Sequence, residues 1–324
     1  MPSTDTVKAP PPDREPAVKK RSTERPGDRI FRGTAVGAAT VILVALAGVA
    51  IFLTVEGLPG LTAEPDAMSG QASFAGYALR LVYGTLLAAV IALVVATPLS
   101  IGMALVISHY APRRLATPLG YVVDLLAAVP SVVYGLWGIL FLGPRMGDLF
   151  RWLEENLGFI PLFAGPAAGS GRTIFTAGLV LAIMVLPIIT AICREIFAQT
   201  PKLHEEAALA LGATRWEMVR MAVFPYARSG MVSATMLGLG RALGETMAVA
   251  MVLAASGTGF VTLNLISTQN PNTIAANIAR EFPEATGTSV NVLIASGLVL
   301  FVITFAVNFA ARAIVARSGK KMNR

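Results

Sequence analysis

The sequence predicts an all-α integral membrane protein, and three observations carry that prediction. Of its 324 residues, 55% are hydrophobic and 14% charged, whereas a soluble domain carries roughly 45–50% apolar and about 25% charged residues. The apolar residues collect into six runs near the roughly 20-residue length that a spanning helix needs. The basic residues flank those runs and form no patch, so the net charge of +7 points to membrane sidedness and not to nucleic acid.

Six transmembrane helices are expected near residues 31–55, 79–107, 119–142, 173–192, 229–255 and 288–311, a membrane domain of 31–311. The first run has no charge from Ala35 to Val55 and is too long for a signal-peptide core, so it reads as an uncleaved anchor. Residues 1–30 before it are polar and proline-rich with no apolar period, as expected of a disordered tail. Pro98, Pro130 and Pro187 fall inside spans, where kinks are tolerated if neighbours satisfy the freed carbonyls. Asp124 interrupts the third span, as a bundle-facing acceptor or a pathway group, and Arg241 with Glu245 interrupts the fifth. In the 143–172 loop, Asp148 to Leu157 reads either as a short interfacial helix or as plain connecting chain. Residues 312–324 form a basic tail. Twenty of the 26 Lys and Arg lie in the N-terminal tail, the 108–118 and 193–228 loops and the C-terminal tail. The positive-inside rule therefore places both termini in the cytoplasm.

The 193–228 loop carries strong local signals. Thr200 and Pro201 suit N-cap and first helical positions. A helix is expected through His204–Leu211, ended by Gly212 in a left-handed conformation. Thr214 and Glu217 make a capping box for a second helix, and Pro225 is expected to stop it. Ala207, Ala208 and Ala210 would let the first helix approach another surface closely.

Arg241 and Glu245, at i and i+4, can pair on one helix face. Arginine at a bilayer centre costs about 2.5–3.5 kcal/mol on insertion scales, and a helical ion pair returns only a few tenths. Arg241 should therefore face protein or a water-filled path. Its guanidinium is always charged and presents a planar donor fork suited to an oxyanion. Gly240 and Gly244 beside it suit close helix packing.

Two resemblances narrow this reading. Glu206-Ala207-Ala208, Gly212 and Pro225 resemble the EAA loop of ABC-importer permeases. In that family the loop forms a coupling helix seated on the ATP-hydrolysing subunit. GLGRALGETMAV, around Arg241 and Glu245, and DLLAAVPSVVYGLWG, with Asp124, Pro130, Ser131, Tyr134 and Gly135, look like the phosphate-specific permeases, of PstC rather than PstA type. The resemblance implies a type I ABC-importer permease fold for inorganic phosphate. It also implies a homologous PstA-like permease, a PstB-like ATPase dimer and an extracytoplasmic PstS-like binding protein. Arg241, Glu245, Ser131, Tyr134 and Asp124 are then pathway candidates, and Glu206, Ala207, Ala208, Gly212 and Pro225 coupling candidates.

No cofactor, metal site or catalysis is expected of the chain itself. It has one cysteine, Cys193, two histidines, His109 and His204, and no P-loop, HExxH or paired catalytic carboxylates. An ABC permease for sulfate, molybdate or phosphonate, or a proton-coupled transporter using Arg241 and Glu245 as a relay, stays open on the residues alone.

Overall fold

The computed structural model describes residues 26–253 and 261–322. The expected tail up to residue 25, the end of the fifth expected span and the last two residues lie outside the described residues. Among the described residues all regular structure is helical. The chain divides into two compact units, Met1–Val49 and Ala50–Arg324.

In the first unit the described part is the opening of α1 (Pro26–Gly57). From Gly27 to Val49 its side chains are exposed, among them Val41, Ile42, Leu43 and Val44. A helix satisfies its own backbone, so lipid can solvate such a surface.

The second unit begins with the end of α1 and a 3₁₀ turn, Leu58–Thr62. The next helix, α2 (Phe74–Leu105), opens at Ser73, whose hydroxyl accepts the Gly76 N–H at 3.3 Å, and it contains Pro98. A π turn, Val106–Tyr110, extends it. Then come α3 (Arg113–Ala127), α4 (Ser131–Trp137) and α5 (Gly143–Leu157). Helix α6 (Ile174–Ala198) opens at Thr173 and runs through Pro187. Short α7 (Lys202–Ala210) and α8 (Arg215–Met218) follow. Next are α9 (Phe224–Gly244) and α10 (Met247–Val252). Thr173-like capping recurs at Thr273, whose hydroxyl accepts the Ala276 N–H to open α11 (Ile274–Glu281), and α12 (Thr288–Met322) completes the chain.

Helix α6 is the axis of the core. Leu181, Val185 and Ile189 on it are at most 1% exposed. Against it α2 presents Ala88, Ala89, Ala92 and Ala96, all buried. A Cβ on Gly178 of α6 would lie 2.6 Å from Ile91 Cγ2, so the missing side chain is what admits α2. Lipid tails are as apolar as these residues, so close packing and interhelical hydrogen bonds hold such helices together. The Ser100 hydroxyl donates to the Leu186 carbonyl at 2.9 Å, and the Thr190 hydroxyl donates to the same oxygen at 2.8 Å. Both bonds fall beside Pro187.

Among the described residues, four helices are long and apolar enough to cross a membrane: Gly27–Thr62, Phe74–Tyr110, Ile174–Ala198 and Thr288–Ala313. A fifth is gained if Arg114–Ala127 and Ser131–Leu157, bent by 90°, count as one. The third expected span is thus not a straight rod. Its first arm, α3, ends at Ala127, and Pro130, at φ −57° and ψ 138°, restarts the chain in a new direction. The stretch Asp148 to Leu157 belongs to α5 and is helical, as one of its two readings had it. The fifth expected span is also broken, between α9 and α10.

Candidate functional site

The break in the fifth expected span shapes the site. Gly244 ends α9, and Glu245 is extended at φ −70° and ψ 126°. Its carboxylate turns forward and accepts the Ala248 N–H at 3.2 Å, satisfying an otherwise orphaned donor of α10. Thr246 donates its hydroxyl back to the Gly244 carbonyl at 3.2 Å. Glu245 therefore serves the positive end of α10 and not Arg241. The i,i+4 pairing expected of a continuous helix is absent, because no helix connects the two residues.

The opposite end of α10 is held as firmly. Arg172, in the link before α6, donates to the carbonyls of Met251 and Leu253, each at 3.0 Å. Such a fork satisfies carbonyls that a helix end leaves open. Gly135 of α4 packs against the same helix, where a Cβ would lie 2.8 Å from Ala248 Cα. Tyr134 beside it is buried and donates its hydroxyl to the Leu126 carbonyl at 2.8 Å, bridging the bend between α3 and α4. Ser131 is half-buried in the first turn of α4. The two motif stretches thus meet at α4 and α10.

Arg241 is exposed on the last turn of α9 and lines a hollow of about 770 Å³ bounded by α6, α9 and α12. Ile188, Met236 and Leu237 form apolar walls, and Ser233, Asn308 and Arg312 add polar groups. Among the described residues no carboxylate lines this hollow and neither arginine has an ion-pair partner. Arg312, Asn308 and Ser233 escaped the sequence reading, in which Arg312 was simply the first charge of the tail. The signal that could have found it is its i,i+4 spacing from Asn308 on one helix face.

Asp124 lies elsewhere. Both its carboxylate oxygens accept from one Arg194 nitrogen of α6 at 3.3 Å, in a separate hollow of about 390 Å³. Gly120, one turn earlier, leaves the room that the Arg194 guanidinium occupies. Asp124 and Arg241 are not brought together.

The 193–228 loop follows local chemistry closely. Pro201, one residue later than expected, is the N-cap of α7. Gly212 follows its end at φ +85°, a conformation that side chains resist. Thr214 and Glu217 form the full capping box, with the Thr214 N–H on Glu217 Oε2 at 2.8 Å. That backbone bond, followed by the Thr214 hydroxyl, holds the Glu217 carboxyl below its usual range. Pro225 does not stop the helix. A π turn, Val219–Val223, joins α8 to α9, and Pro225 sits in the first turn of α9, where a missing N–H matters least.

No residue of α7 is buried. Leu203 is 74% exposed and Leu211 91%, with Glu206 exposed between them. Ala207, Ala208 and Pro225 line a shallow hollow of about 470 Å³ with His204 and Tyr226. Inside the chain, α7 meets the π turn that follows α2 through Glu205, whose carboxylate lies 3.4 Å from His109 Nε2, while Ser108 meets His109 Nδ1 at 2.7 Å.

Comparisons with known proteins bear on this arrangement. Residues 96–323 match the family described as "Binding-protein-dependent transport system inner membrane component". The "Phosphate transport system permease protein PstC 2" of Mycobacterium tuberculosis is 45% identical over 326 residues, covering 95% of this chain and 96% of that protein. The "Phosphate transport system permease protein PstC" of Mycobacterium leprae is 41% identical, covering 95% and 98%. Among solved structures, a bacterial alginate ABC transporter in complex with an alginate pentasaccharide-bound periplasmic protein has a chain that superposes with a TM-score of 0.55. It is 17% identical and covers 90% of this chain and 95% of its own. That likeness is one of fold alone.

Proposed function

Because the chain belongs to the binding-protein-dependent inner-membrane transport components, and within them to the phosphate permeases of PstC type, we propose that it forms one half of the path by which an ATP-driven importer moves inorganic phosphate. It is a multi-pass inner-membrane transport subunit. In the proposed assembly, a PstA-like permease covers the open face carrying Arg241. A PstB-like ATPase dimer engages α7, and a PstS-like protein delivers phosphate from outside. In this reading the 31–311 domain makes six crossings, each broken helix taken as one span, so that both termini share one side, which the positive-inside rule assigns to the cytoplasm.

The observation that carries this reading is Arg241, exposed in a hollow that no carboxylate lines among the described residues, with Glu245 engaged at α10. An anion entering the hollow meets a preformed donor fork, and a hydrogen bond to a charged group contributes about 1.5–3 kcal/mol. In this reading, Glu245 is the alternative partner that neutralises Arg241 when the break rearranges. Ser131 and Tyr134 line the route through the α4 bend, and Asp124 acts with Arg194 on the cytoplasmic side of it. Movement enters at α7. Glu206, Ala207, Ala208 and Pro225 present the surface that docks on the ATPase, and Gly212 provides the turn that links α7 to α8 and so to α9. ATP is hydrolysed by the partner chain, and no cofactor is needed here.

ATP-dependent uptake of labelled phosphate, measured against labelled sulfate in vesicles carrying the assembled transporter, tests the reading. Arg241→Ala should abolish phosphate uptake with assembly intact, and normal uptake would remove Arg241 from the path. Gly212→Val should leave ATP hydrolysis running while uptake falls at least tenfold. Unchanged coupling in that variant would remove α7 from its docking role.

A further inference from the structure

The hollow that holds Arg241 also holds a second cation and a set of acceptors, and their chemistry is more selective than a positive charge alone. Along α9 it extends from Ser233 to Arg241, eight residues and therefore about 12 Å of helix rise. On α12, Asn308 and Arg312 are one turn apart on the same face. Two guanidiniums share a space with no carboxylate among the described residues, so their repulsion is relieved more fully by a doubly charged anion than by a singly charged one.

The neutral groups are already oriented. The Asn308 amide nitrogen donates to the Thr304 carbonyl at 2.9 Å, which leaves the amide oxygen free to accept, beside one remaining N–H. The Ser233 hydroxyl donates to the Ser229 carbonyl at 3.0 Å, so its free capacity is also as an acceptor. The hollow thus offers guanidinium donors for anionic oxygens and an acceptor for an O–H. Hydrogen phosphate carries two charges and one O–H. Sulfate carries two charges and no proton, and its oxygens would face the Asn308 oxygen unpaired.

We propose that Arg312 and Asn308 complete the anion site begun by Arg241, with Arg312 supplying the second charge and the Asn308 oxygen selecting an oxyanion that bears a proton. The inference rests on the pathway role of Arg241 given above and adds the discrimination between phosphate and sulfate.

Two measurements on the assembled transporter test it. In the first, Arg312→Cys is made in the full chain, whose native Cys193 is buried and shielded from reagents. Phosphate uptake should fall at least tenfold, then recover on labelling with a cationic methanethiosulfonate and not with an anionic one. Full uptake by the unlabelled variant overturns the role of Arg312, as does failure of both the cationic label and Arg312→Lys to restore it. In the second, binding of labelled phosphate and of labelled sulfate is measured on transporter without binding protein. Asn308→Leu should weaken phosphate several-fold and leave sulfate unchanged, and equal effects on the two anions overturn the selection role. Arg241→Gln separates the two readings. Normal uptake there sinks the pathway itself, whereas loss there beside full uptake in Arg312→Gln sinks only the present inference.

Discussion

Helices α6 and α9 begin from opposite expectations. The first contains Pro187 in its middle and stays continuous from Ile174 to Ala198. The second has no proline in its second half and nevertheless ends at Gly244, in the middle of an expected span. Proline alone does not decide where a membrane helix breaks. What decides it is whether nearby groups support the helix or the interruption. Around Pro187 the hydroxyls of Ser100 and Thr190 converge on the Leu186 carbonyl, and buried packing from α2 holds both sides. At Gly244 the polar groups favour the break, since Glu245 captures the Ala248 N–H and Thr246 returns to the Gly244 carbonyl. On the reading proposed above the difference is functional: the intact helix is a fixed wall, and the broken one separates a carboxylate from the guanidinium that it would otherwise neutralise.

The strongest way to break this contrast is to remove the supports of α10. Six residues are too few for an isolated helix to persist, so α10 depends on Glu245, Arg172 and its contact with Gly135. Glu245→Ala removes the acceptor of the Ala248 N–H and should lower phosphate uptake at least tenfold. Glu245→Gln keeps an oxygen that can accept from Ala248 and should retain a larger share. Arg172→Ala should behave like Glu245→Ala despite lying outside the motif. Equal loss in the Ala and Gln variants at 245 would mean that the charge matters and the cap does not.

A smaller effect is expected on the α6 side. Ser100→Ala and Thr190→Val each delete an interhelical or intrahelical bond to Leu186, and such bonds in membrane proteins average about 0.6 kcal/mol. The double variant should melt slightly earlier, as read by loss of the folded complex on heating, with uptake unchanged. A large loss of uptake would show that α6 also moves in the cycle and would erase the distinction between wall and hinge.

These two helices also mark how far the sequence could be read. Gly212, the Thr214–Glu217 box and the helix of the 193–228 loop were legible because each depends on chemistry within four residues. The number of unbroken spans was not, because hydropathy registers apolar length and is blind to a carboxylate that prefers the N–H three residues ahead. Pro225 misled for the opposite reason, since a π turn absorbs its missing donor. Asp124 looked partnerless because Arg194 is seventy residues away in the chain. Arg312 was counted for sidedness; its spacing from Asn308 was a local signal, but that α12 carries both into the hollow beside Arg241 depends on long-range packing.

The smallest expected effect lies at the start of the run that becomes α9, and its sign follows from one carboxylate. Glu217 is held below its usual range by the Thr214 N–H first and the Thr214 hydroxyl second. A depressed value means that the folded state favours the charged form. The stabilisation is therefore present in full above the unfolded value of about 4.3 and disappears as pH falls through the lower folded value. Glu217→Gln should melt earlier than the unsubstituted protein at neutral pH, and the two curves should converge only in acid, once pH falls below the lowered folded value. Because Glu217 is fully exposed, the shift should be small and reduced further by salt. Convergence without any change in uptake at neutral pH would make this box a fixed starting point for the long helix. A loss of coupling in the same variant would instead extend the moving part of the molecule from the break at Gly244 back to Thr214.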